Sequence, residues 1–105
     1  MLTMQSMKTV VPENGYTIEY TITKNLNESE PEMMEEYGIR CTLFEADKVI
    51  SAEEIKCITP VLSKVNEMVM ILRKNRVFPA HLKDVVYDLL VLEEENIQAA
   101  DFCVA

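Results

Sequence analysis

Tyr16-Thr17-Ile18-Glu19-Tyr20-Thr21-Ile22-Thr23-Lys24 alternates without a break. Tyr16, Ile18, Tyr20 and Ile22 fall on one side of an extended chain, and Thr17, Glu19, Thr21 and Thr23 fall on the other. A period of two, written in β-branched and aromatic residues, predicts a half-buried strand. Asn14-Gly15 just before it is a turn signal, suited to a hairpin with a short strand over residues 7–12, although Pro12 limits that pairing. After it, residues 25–32 are polar, acidic and carry one proline, which reads as a solvated loop. Alternation returns over residues 35–45, with Tyr37, Ile39, Cys41 and Leu43 on one face and Arg40 and Thr42 on the other. Phe44 falls on that outer face and suggests partial cover there. These two strands are expected to be antiparallel neighbours. A third strand is expected within residues 49–58, where Ala52-Glu53-Glu54 leaves open a turn or a helical interruption.

Periodicity changes at Thr59-Pro60, which reads as a helix start: threonine can cap, and proline at the first helical position gives up a donor that had no partner. Val61, Val65, Met68, Val69 and Leu72 then form one stripe. Arg73, Lys74 and Arg76 gather where cations complement the helix dipole, and Asn75 suits a left-handed stop. Pro79 opens a second helix whose core face is Leu82, Val85, Val86 and Leu89. The expected fold is α+β: a small antiparallel sheet of about three strands, followed by two amphipathic helices packed on it. Residues 1–105 read as one domain, with 1–14 a candidate loose leader and 96–105 either a docked end or a frayed tail.

Composition narrows the function classes. A chain of 105 residues that is 49% hydrophobic can bury a modest core, and two glycines argue against linkers or backbone cradles for phosphate. Net charge is −8, and neither half is basic, so the electrostatic footprint of a nucleic-acid or anionic-membrane binder is missing. Cys41, Cys57 and Cys103 are an odd count without CxxC spacing, which fits a reducing cytosol better than a disulfide framework. Residues 1–11 lack the continuous apolar core of a signal peptide, and no stretch is long enough to span a membrane. A cytoplasmic protein is expected.

His81, Asp84 and Asp88 are the one constellation with chemical promise. On successive turns of one helix, an imidazole and two carboxylates could hold a divalent metal or pair for acid–base work. Zinc helices usually present two histidines, however, and this chain has one. The plainer reading is a boundary histidine bonded to Asp84 or to its own helix start, beside a solvated Asp88. Cys41, on the apolar face of a strand, reads as an inert buried thiol. The two helices with a short joint invite a helix-turn-helix reading, but Asp84, Asp88 and Glu93 to Glu95 would repel phosphate. Met70 falls off the apolar stripe and Ile71 leans outward, which makes them candidate interface residues.

Several stretches together resemble a family of small uncharacterised proteins from Gram-positive anaerobes, a domain of unknown function. They are the tyrosine-rich first strand, Tyr37-Gly38-Ile39, Ile58-Thr59 ahead of the first helix, and above all Val77-x-Pro79-x-His81-Leu82-x-Asp84-Val85-Val86-x-Asp88-x-Leu90. The likeness covers roughly residues 16–92. It implies a β-then-α architecture and carries no activity. His81, Asp84 and Asp88 sit at its motif positions.

No catalytic motif or cofactor fingerprint occurs in the sequence. The expectation is therefore a non-enzymatic interaction or regulatory domain that contacts a protein partner or a second copy of itself. The alternative is a metal- or small-molecule-binding site, or a hydrolytic one, on the second helix. No cofactor is expected.

Overall fold

Four strands in chain order form a single antiparallel sheet, β1 (Leu2–Val11), β2 (Tyr16–Leu26), β3 (Glu35–Glu45) and β4 (Lys48–Thr59), each paired with the next. The computed structural model describes residues 2–11, 14–26 and 35–92, with side chains from residue 6. Helix α1 (Leu62–Lys74) follows, then a 3₁₀ turn (Pro79–His81) that runs into helix α2 over residues 82–92. The expected α+β order holds, but the sheet has four strands rather than about three. The extra strand is β1, longer than the short hairpin partner expected and covering most of the stretch that also read as a leader.

Alternation in β2 does what its pattern demands. Ile18, Tyr20 and Ile22 meet Leu43, Cys41 and Ile39 across the β2–β3 ladder, and all but Leu43 are wholly buried. Against this face α1 lays Val65, Met68, Val69 and Leu72, and α2 lays Leu82 and Val86. Val61, placed on the same stripe by periodicity, is instead exposed, because the helix begins one residue after it. Thr59-Pro60 therefore sits before the helix. Thr59 closes β4, and its hydroxyl accepts the Val61 N–H at 3.2 Å, while Val61 is the N-cap without a side-chain bond.

At the other end, Asn75 is not the left-handed residue (φ −96°). Its amide nitrogen donates to the Ile71 carbonyl at 2.8 Å, and Arg76 takes the positive φ of 50°. Chain reversal then lets the Val77 N–H reach the Leu72 carbonyl at 3.1 Å, closing the helix as a Schellman-type stop does.

Two turns are set by backbone conformation. Gly15 has φ +69° between β1 and β2, as Asn14-Gly15 suggested. Between β3 and β4, Ala46 and Asp47 both have positive φ (49° and 70°), the primed two-residue hairpin geometry, here without glycine. Strand β4 runs through Ala52-Glu53-Glu54 uninterrupted, so neither a turn nor a helix forms there. It bulges twice instead, near Ile50 and again around Cys57, whose φ is +55°. The second bulge folds β4 backbone over Gly38 and Thr23. A Cβ on Gly38 would lie 2.3 Å from the Ile55 carbonyl oxygen and 3.0 Å from Thr23 Oγ1. That is why Thr23, on the outer face by alternation, is fully buried.

Candidate functional site

The motif region opens at Phe78-Pro79. Pro79 begins the 3₁₀ turn, and the His81 N–H donates to the Phe78 carbonyl at 2.9 Å. Leu82 and Val86 turn into the core, with Val85, Leu89 and Leu90 partly buried beside them. His81, Asp84 and Asp88 are each exposed, but His81 closes the 3₁₀ turn while the two aspartates belong to α2, so the three do not lie on successive turns of one helix as expected. Among the described residues, no group of three or more histidine, cysteine, aspartate or glutamate side chains is arranged to hold a metal ion. The neighbouring Lys83 ammonium lies 3.6 Å from a Glu53 carboxylate, an exposed link between α2 and β4.

Met70 and Ile71 are both exposed, at 65% and 38%, but they serve opposite flanks of α1. Ile71 lies in a groove of about 510 Å³ between the helices, with Met68, Leu89 and Leu92 as its apolar wall and Ser63 and Glu67 on its rim. Met70 lies instead in a shallow depression of about 420 Å³ with Thr9, Arg73, Lys74 and Arg76. Arg73 Nε donates to Thr9 Oγ1 at 3.4 Å, and its Nη1 stands 3.3 Å from Met7 Sδ, so the end of α1 is tied to β1. Three of the chain's ten basic residues thus surround one exposed methionine on a protein of net charge −8.

Neither described thiol is set up as a nucleophile. Burial pushes Cys41 up to about 12, and Cys57 is raised by burial first and then by the Glu36 carboxylate, which also hydrogen-bonds it. An activated cysteine needs the opposite, a neighbouring cation or a helix N-terminus that favours the thiolate. Both are free of disulfides, and Cys103 lies outside the described residues.

The structure also shows polar groups that alternation alone did not single out. Tyr20 Oη reaches the carbonyl oxygens of Val77 (2.8 Å) and Leu72 (3.1 Å), and Cys41 Sγ lies 3.7 Å from the same Val77 oxygen. Thr23 Oγ1, Asn25 Nδ2 and Glu54 Oε2 are buried without a hydrogen-bond partner among the described residues. The available signal was Gly38, one of two glycines in the chain, inside a strand pattern where glycine marks a bulge or a close backbone approach.

No helix among the described residues is long and apolar enough to cross a membrane. No curated protein and no solved structure matches the chain. The family model that does match spans residues 1–92, taking in β1 as well as the stretch from Tyr16 that carried the resemblance. With the whole described structure inside that match, the chain belongs to a family of unknown function, DUF6514.

Proposed function

We propose that this domain is a non-enzymatic interaction module of the cytoplasm, acting through protein–protein contacts made by the Met70 corner. The supporting observation is the corner itself: a largely exposed methionine ringed by Arg73, Lys74 and Arg76. A flexible apolar side chain within a cationic rim suits a partner segment that carries acids around an apolar residue. Residues 28–36 of a second copy have that composition, with Glu28, Glu30, Glu32, Glu35 and Glu36 around Met33-Met34. Free Cys41 and Cys57 support a reducing compartment.

Sedimentation velocity over a concentration series, at low and high salt, tests the reading. Association is expected at low salt, weakened at high salt because exposed charges are screened beyond about 10 Å at 0.1 M. Met70→Asp is expected to be monomeric throughout. A wild-type chain that stays monomeric in both salts, and retains the same lysate proteins as Met70→Asp, would count decisively against it.

The alternative reading, a metal or small ligand on His81, Asp84 and Asp88, draws on the exposure of all three, against the finding that the described residues gather no three such side chains around a metal position. Calorimetry with Zn²⁺, Mn²⁺ and Ni²⁺ on wild type and His81→Ala separates the two. Identical traces from both proteins would end it.

A further inference from the structure

We infer that the surface received by the Met70 corner is the outer stripe of α2 on a second copy of the chain, formed by Asp84, Tyr87, Asp88 and Val91. The inference rests on the proposal that this corner is an interface, and it names what fills it. Positions i, i+3, i+4 and i+7 of a helix share one face. In α2 that face is opposite the wholly buried Leu82 and Val86, and all four of its residues are exposed. Tyr87 and Val91 keep 59% and 51% of their surface open, and the two carboxylates flank them. The one cation of α2, Lys83, lies beside the stripe and is drawn to Glu53 at 3.6 Å.

The corner is the counterpart of the stripe in sign and in spacing. Met70, Arg73 and Lys74 are i, i+3 and i+4 on α1, as Asp84, Tyr87 and Asp88 are on α2. Each set is a patch about 6 Å long along its helix, with one apolar residue beside two like charges. The charges of the two patches are opposite, and Arg76 adds a third cation to the corner. Two copies of net charge −8 repel at long range, so contact is favoured where a basic patch of one meets an acidic patch of the other. Arg73 is already held by Thr9 Oγ1 and Met7 Sδ, and the stripe is carried on a formed helix. Docking two preorganised patches loses less conformational freedom than ordering an extended segment.

The two patches are different surfaces, so two defective variants can repair each other. In sedimentation velocity at low salt, Met70→Asp and the double variant Asp84→Lys, Asp88→Lys are each expected to self-associate at least roughly tenfold more weakly than wild type. The double variant moves net charge toward zero, so its weaker association cannot come from added overall repulsion. Mixed in equal amounts, the two are expected to re-form a complex, because one keeps its stripe and the other keeps its corner. That recovery also shows that both are folded. Glu28→Gln, Glu30→Gln, Glu32→Gln together are expected to leave association at least as tight as in wild type, which separates the stripe from residues 28–36. If Met70→Asp is monomeric while the double variant associates like wild type, the corner stands as an interface and the inference is overturned. A mixture that associates no better than its components overturns it too. So does a wild-type chain that is monomeric at every salt concentration, whatever other protein the corner holds.

Discussion

Tyr20 ties β2 to the end of α1 through its hydroxyl. It is wholly buried, and its hydroxyl reaches the carbonyl oxygen of Val77, just past α1, and that of Leu72 in the helix's last turn. Tyr20→Phe keeps the ring and removes the donor. The Leu72 carbonyl still accepts from the Val77 N–H, but Val77 O retains only the long Cys41 contact. Leaving a buried acceptor nearly unpartnered costs about 1–3 kcal/mol, so urea unfolding should show that loss with an unchanged far-UV spectrum. An unaltered midpoint would refute the assignment. Burial raises both Tyr20, from 10.0, and Cys41, from 9.0 to about 12. The unfolded chain therefore loses these protons at lower pH than the folded one. Their contribution is intact below about pH 9 and declines as pH rises from there. The melting temperature should fall between pH 9 and pH 11, and less steeply in a Tyr20→Phe, Cys41→Ala double variant. A wild-type melting temperature that is flat across that interval would show the linkage to be absent.

At the scale of elements, what could be read in advance was what repeats. Alternation placed β2 and β3, their pairing and their buried face, because burial on one side enforces a period of two over eleven residues in each strand. The stripes of both helices were legible for the same reason. Irregular backbone was not. The Thr59-Pro60 signal displaced the helix start because Thr59 was needed in the ladder opposite Tyr37. Ala46-Asp47 makes a hairpin turn that neither residue type announces, and the Cys57 bulge leaves no periodic trace. Spacing put Met70 off the apolar stripe and Ile71 leaning outward, and both are exposed, but it could not show that they line two different depressions. Gly38 shows how such a bulge fixes a residue. Its missing Cβ is where β4 backbone lies, and backbone cannot rotate aside as a side chain can. Gly38→Ala should therefore destabilise by about 1–3 kcal/mol, in the range of core overpacking. Gly15→Ala meets open space, so only the strain of its positive φ remains, about 1–2 kcal/mol. Equilibrium unfolding of both variants is the check, joined by a thiol-accessibility assay at Cys57, which should become more reactive in Gly38→Ala alone. Equal Cys57 reactivity in the two variants would show that the bulge is not what Gly38 accommodates.

For the whole molecule, the question is whether β1 is an accessory edge or part of the fold. Its register runs from Leu2↔Lys24 to Val11↔Tyr16, so it satisfies one side of β2 along nearly all of that strand. Val11 belongs to the core and Met7 packs against it, while Thr9 and Met7 hold Arg73 at the end of α1. Without residues 1–11, β2 would become an edge eleven residues long bearing Ile18, Tyr20 and Ile22. Long, flat, apolar edges recruit further strands from other chains. The remaining sheet would also lose the Thr9 and Met7 contacts to Arg73, leaving Tyr20 and Cys41 at the α1 terminus. Deleting residues 1–11 should therefore yield a protein that elutes as aggregate and melts without a cooperative transition. Size-exclusion chromatography and thermal unfolding followed by circular dichroism give the answer. If the shortened chain remains monomeric and melts cooperatively near the full-length temperature, β1 is dispensable, and the three-strand sheet and the helices suffice for the fold.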